Sequence, residues 1–237
     1  MALKYIGLNP AHVLSQPEVG NDLGNLLVEY FHFRAALLYD EVQHLLMNEH
    51  EAKALFEELY ETLKPTCPIP LNKQKGQKRA PAFLTAIVNM LIEKHSGGMT
   101  CDFDPRQLTT ITHDDVPLRT LARRVDGAFP TVINPIAIWE IKEYYYTTTF
   151  GSRVADGVYE SLLDGLELEE LRDHEGINVL HYLIVDAHKT WWIDGRSYLC
   201  RMIDMLHMGY VDEVLFGKEV VTRLPILVEE WVRLARR

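Results

Sequence analysis

The 237-residue chain has little cysteine and no long apolar run. Its three cysteines, Cys67, Cys101 and Cys200, are odd in number, far apart and without metal-type spacing. That excludes a readable disulfide framework or zinc knuckle and fits a reducing compartment. No apolar stretch approaches the roughly 18 residues of a membrane-spanning helix, and the opening MALKYIGLNPAHVLSQP lacks the unbroken apolar core of a secretion signal. The expectation is a soluble, cytoplasmic protein with no membrane partner. Internal repeats and low-complexity segments are also lacking. Positive charge is scarce, with 24 Lys+Arg against 34 Asp+Glu, and the net charge of −10 excludes a protein that coats nucleic acid through charge alone. With 47% hydrophobic and 24% charged residues, the composition is that of an ordinary globular chain.

What is present divides the chain in character. From Asn21 to Leu63 the apolar residues fall at helical spacing, among them Leu23, Leu27, Phe31, Leu38, Val42, Leu55, Phe56 and Leu59. Pro65, Pro68 and Pro70 close this run, so residues 1–70 read as an all-helical module. His32, His44 and His50 in it are unevenly spaced and read as ordinary helix residues rather than ligands. Residues 71–80 read as a basic linker, with Lys73, Lys75, Lys78 and Arg79 around Gly76. Between Leu71 and Arg124 nine basic residues face five acidic ones, so this stretch carries +4 and the remainder −14. The acidic total conceals a basic centre.

Residues 81–237 read as an α/β domain. Pro81 opens a helix to about Lys94. RRVDGAF and IAIWEIKEYYY read as two strands joined through the Asn134-Pro135 turn, and a helix is expected from Arg153 to Leu163. NVLHYLIVDA is a near-continuous apolar run, as a strand buried on both faces should be. A helix over 195–208, a strand over 211–216 and a C-terminal helix complete an α/β layout behind the helical module. His113-Asp114-Asp115 reads as a turn leading into a helix.

The informative feature is Asp126, fourteen residues before Glu140, with Lys142 two further on. In a strand, residues i and i+2 share a face, so Glu140 and Lys142 project together, and a hairpin brings Asp126 alongside. Carboxylate oxygens suit Mg²⁺, which keeps several waters and bridges to phosphate. An ammonium beside them can orient water and offset charge on a phosphoryl group. The sequence holds a second acid-x-Lys triplet, Glu51-Ala52-Lys53, but on a helix i and i+2 do not share a face.

Val125-Asp126-Gly127 followed by Ile138-Trp139-Glu140-Ile141-Lys142 resembles the catalytic core of the PD-(D/E)XK nuclease superfamily, with Val125 where proline is usual. The resemblance covers about Pro81 to the C-terminus. It implies a restriction endonuclease-like mixed sheet flanked by helices, and a Mg²⁺-dependent endonuclease, with Mn²⁺ as a substitute, that hydrolyses double-stranded DNA. Asp126, Glu140 and the Ile141 carbonyl would be metal ligands, Lys142 the catalytic lysine and Glu93 a further catalytic acid. A helical module ahead of such a domain resembles the BisI-like modification-dependent restriction endonucleases, which implies 5-methylcytosine in the substrate. An ordinary sequence-specific enzyme and a non-catalytic DNA-binding protein or helical adaptor stay open beside it.

Lys73, Lys75, Lys78 and Arg79 are the expected phosphate contacts of the DNA partner, joined by Ser152 and Arg153 at a helix N-terminus and by Lys189 at a strand end. Thr147 to Thr149 offer hydroxyls. Asp156 and Glu160, spaced i to i+4, are expected to face solvent. Cutting both strands needs two active sites, so a homodimer is expected.

Overall fold

The computed structural model describes residues 20–74, 77–146 and 151–236, with the side chains of 20–22, 73–79, 152 and 153 outside the description. The chain forms two compact units, Met1–His44 and Leu45–Arg237. In the first, α1 (Gly20–Ala36) continues into a π-helical segment, Leu37–Val42.

The second unit is a mixed α/β structure. It begins with α2 (Glu49–Leu63), which starts in a capping box in which Asn48 accepts the His50 and Glu51 N–H groups and Glu51 accepts that of Asn48. Then come β1 (Leu71–Gln74), β2 (Gln77–Pro81), α3 (Phe83–His95), β3 (Asp102–Phe103), β4 (Thr110–His113), β5 (Val116–Thr120), β6 (Gly127–Phe129) and β7 (Ala137–Glu143). The chain continues through α4 (Ser152–Glu175), β8 (Leu180–Asp186), α5 (Arg196–His207), β9 (Glu213–Phe216) and α6 (Val220–Ala235).

The main sheet has the order β3-β6-β7-β8-β9. β6 pairs antiparallel with β3 and β7, whereas β7, β8 and β9 run parallel. The parallel strands are buried on both faces, which is why VLHYLIVD reads as a continuous apolar run. One face, with Ala137, Trp139, Tyr182, Ile184 and Leu215, packs on α3 and α6 through Leu84, Ile87, Leu91, Leu224, Val228 and Trp231. The other, with Ile138, packs on α4 through Leu168 and Leu171. Leu55, Phe56, Leu59 and Leu63 of α2 pack on the first core, so the helix grouped by sequence with a 1–70 module lies in the same unit as the sheet.

Three local expectations change. In the segment 71–80, read as a linker, β1 pairs with β2 as a hairpin that extends to Pro81, with Leu71 opposite Pro81 and Gln74 opposite Gln77. His113-Asp114-Asp115 turns not into a helix but into β5, because Asp114 and Asp115 both take the left-handed conformation, φ 48° and 63°, that a two-residue hairpin turn requires. The helix expected over 153–163 runs on to Glu175, where Gly176 ends it at φ 69° with its N–H on Arg172 O.

Candidate active site

The site grows from the parting of β6 and β7. Gly127 pairs with Trp139, and one residue earlier the Asp126 N–H donates to Trp139 O at 3.1 Å. Asp126 turns its carboxylate back onto β7, where Oδ2 accepts the Ile141 N–H at 2.7 Å. Glycine is required beside it: a Cβ on Gly127 would fall 2.0 Å from the Trp139 indole. Strand alternation puts Glu140 and Lys142 on the α4 face of the sheet, opposite Trp139.

Glu140, at 1% exposure, is held from two sides. Lys142 Nζ donates to its Oε2 at 2.7 Å. The Arg123 guanidinium lies across both oxygens, Nη1 at 2.9 Å from Oε1 and Nη2 at 3.1 Å from Oε2. From α4, Asp164 Oδ2 accepts Arg123 Nη1 at 2.5 Å, and Glu160 Oε2 lies 3.2 Å from Arg123 Nη2 and 3.7 Å from Lys142 Nζ. Gly157 of α4 leaves room for the lysine: a Cβ there would sit 3.2 Å from Lys142 Cδ and 3.0 Å from the Tyr144 hydroxyl. Behind the strand, Trp191 Nε1 donates to Lys142 O at 3.3 Å.

The electrostatics follow from this crowding. Asp126 is an exposed residue by its solvent-accessible surface, although protein atoms crowd the neighbourhood of its carboxyl. Burial of that group, reinforced by the Glu140 charge, pushes its pKa up to about 6 against the pull of Lys142, the Ile141 N–H and Arg123. Burial also pushes Glu140 up, but Lys142 and Arg123 outweigh it and hold the carboxyl below its ordinary range. Burial lowers Lys142, yet Glu140 and Asp126 more than reverse this, so the amine stays protonated. Asp164 is pushed up to about 7, burial outweighing the guanidinium beside it.

The donor chemistry fits a divalent cation. Asp126, Glu140, Glu160 and Asp164 against Arg123 and Lys142 leave the fully ionised cluster at −2. Glu140 Oε1 is buried, ion-paired to Arg123, and accepts no hydrogen bond. No group of three or more His, Cys, Asp or Glu residues poised around one ion occurs among the described residues. A Mg²⁺ site in general needs only one or two carboxylates, with water and substrate phosphate completing it.

Of the expected site residues, Asp126, Glu140, Ile141 and Lys142 come together. Glu93 does not join them: both its oxygens accept the Thr66 N–H, at 3.2 and 3.0 Å, and Oε1 also accepts the Thr66 hydroxyl. The reason is local, since α3 carries Glu93 to the loop that follows α2, where the Thr66 donors take up both its oxygens. Lys189 is exposed, 4.0 Å from Asp194. Lys75 and Thr147 to Thr149 lie outside the described residues, as do the side chains of Lys73, Lys78, Arg79, Ser152 and Arg153.

Glu160 faces solvent as expected, at 47% exposure, while its Oε2 also reaches Arg123 and Lys142, and sequence reasoning missed Arg123 and Asp164 altogether. A signal for Asp164 exists: Val154, Gly157, Val158, Ser161, Asp164, Gly165, Leu168 and Leu171 are buried at helical spacing, which places an acid on the inward face of a 24-residue helix.

Fold and cluster together define a mixed α/β protein with a buried ion network where two central strands part. The chain belongs to the family described as Domain of unknown function (DUF7687), whose model matches residues 47–231. No curated protein and no solved structure matches it.

Proposed function

We propose that the protein is a Mg²⁺-dependent endonuclease that hydrolyses phosphodiester bonds in double-stranded DNA. The observation that carries this reading is the convergence of Asp126, Glu140 and Lys142 on one side of the β6–β7 pair, with Asp126 fastened to the Ile141 N–H at 2.7 Å. Asp126, Glu140 and the Ile141 carbonyl would hold the ion. When bound, it supplies Lewis-acid stabilisation of the phosphoryl oxygens and a more acidic water. Lys142, kept protonated by Glu140, contributes as a cation: it orients water by donating to it and offsets negative charge gathering on the phosphate. Glu140 and Lys142 stand on β7, and Asp126, one residue before β6, is tied to that strand by the Ile141 N–H, so little reorganisation accompanies reaction.

DNA as the substrate is supported by the basic run Lys73, Lys75, Lys78 and Arg79. A homodimer would present two such sites to a duplex. A requirement for 5-methylcytosine is the finer part of the proposal, resting on the looser resemblance.

A second reading has its own observation: Glu140 is sealed by Arg123 and Lys142, as in a purely structural ion network of a DNA-binding protein. Incubating methylated and unmethylated supercoiled plasmid with the protein in Mg²⁺ and in EDTA decides between them. Mg²⁺-dependent nicking or linearisation that Asp126→Asn abolishes is the expected result; intact plasmid under all conditions, with retained DNA binding, would favour the second reading.

A further inference from the structure

The geometry points to Arg123 as the resident counter-cation of the metal position: we propose that it competes with the divalent ion for Glu140 and so sets the metal concentration the site needs. The inference rests on the metal reading of Asp126 and Glu140 and deepens it. Arg123 approaches both oxygens of Glu140, at 2.9 and 3.1 Å, and Oε1, the atom left without a hydrogen bond, is the one under Nη1. A cation at Glu140 must therefore share or displace the guanidinium. Lys142 is a weaker competitor, since it touches Oε2 alone.

Displacement does not require Arg123 to leave the site. Its second anchor, Asp164, is fully buried and pairs with Nη1 at 2.5 Å, and its third, Glu160, lies 3.2 Å from Nη2. Both belong to α4, one turn apart, so the guanidinium can give up Glu140 and stay charge-paired on the helix. Asp164 Oδ1 accepts no hydrogen bond, so the helix side has unused acceptor capacity for a guanidinium that shifts toward it. The two acids thus serve Arg123, not the metal, and Arg123 is a positioning residue: without the ion it keeps Glu140 compact and neutralised.

The test is direct Mn²⁺ binding to the full chain, by calorimetry and by the electron paramagnetic resonance signal of free Mn²⁺, with no DNA present. Arg123→Gln removes the competitor and is expected to bind Mn²⁺ about tenfold tighter or more, because a unit charge a few ångströms away is gone. Arg123→Gln leaves Asp164 buried without its cation, so the double variant Arg123→Gln/Asp164→Asn is measured alongside; it keeps the net charge of the cluster and stands in should the single variant not fold.

Tighter binding in the double variant, with Arg123→Lys intermediate, is the expected pattern. Affinity equal to or below wild type in the double variant overturns the proposal, since it leaves only bulk charge or structural support as the role of Arg123. Wild-type Mn²⁺ binding that Asp126→Asn weakens, together with unchanged affinity in the Arg123 variants, sinks this inference alone. Absence of any Asp126-dependent Mn²⁺ binding sinks the metal reading with it.

Discussion

Asp126 Oδ2 accepts the Ile141 N–H at 2.7 Å, so an acid at the mouth of β6 is tied to the backbone of the strand that carries Glu140 and Lys142. The bond fixes position without removing charge. Burial and the Glu140 charge leave the Asp126 carboxyl raised to about 6, the mark of an acid held where the fold alone does not want it ionised.

Asp126→Asn and Glu140→Gln should therefore separate activity from stability with opposite signs. Asn keeps an acceptor for the Ile141 N–H and loses a repelled charge, so its melting temperature without metal is expected at or above wild type. Glu140→Gln strips the anion that Arg123 and Lys142 share, and breaking such a buried pair costs on the order of 3 kcal/mol. Both should lose about a hundredfold or more of plasmid cleavage. A drop in melting temperature for Asp126→Asn would contradict this account of its pKa.

Gly157→Ala tests the packing of Lys142. Alanine inside an ordinary helix gains about 1 kcal/mol over glycine, whereas overpacking a tight core costs about 1–3 kcal/mol. The Lys142 stem cannot retreat while Nζ is held by Glu140, so the expected outcome is no gain or a net loss in urea-unfolding free energy, with slower cleavage at saturating substrate. Clear stabilisation with full activity would show that the stem is free to move.

Asp186 should shape the pH dependence of stability. It is fully buried, its Oδ1 accepting the Met47 and Ala187 N–H groups, and burial pushes its pKa from 3.8 up to about 7. Between those values the folded state binds more protons than the unfolded chain, so the contribution is present in full below pH 4 and is lost as pH rises through 7. Asp186→Asn is expected to flatten the urea midpoint between pH 4.5 and 7.5; an unchanged slope would assign it to other acids.

Replacing Lys73, Lys78 and Arg79 by alanine should weaken DNA affinity evenly across sequences. The slope of log affinity against log salt should fall by about 2 to 3 if each neutralises one phosphate. An unchanged slope would move the DNA contact elsewhere on the protein.

The strand readings were legible because β7 and β8 declare themselves through β-branched and aromatic density, and the Asp126, Glu140 and Lys142 grouping needs only strand alternation and one hairpin. The β4–β5 hairpin was hidden because its turn uses Asp-Asp where Asn-Gly or Asp-Gly would have been recognised. Arg123 and Asp164 were hidden for a different reason. Their partnership joins residues 41 apart through the stacking of a helix on a sheet, and no local periodicity encodes which polar side chains meet across that layer. Glu93 misled because a helix position says nothing of the loop donors waiting at Thr66.

The stacked indoles of Trp139 and Trp231, with centroids 5.6 Å apart and planes within 9°, join the strand beneath the acids to the C-terminal helix. Two such chromophores held rigidly at this distance couple their transitions, so the protein carries its own chiroptical gauge in the near ultraviolet. Because Trp139 neighbours Glu140 along β7, a variant that loses cleavage but keeps that band has lost chemistry and not the sheet that supports it.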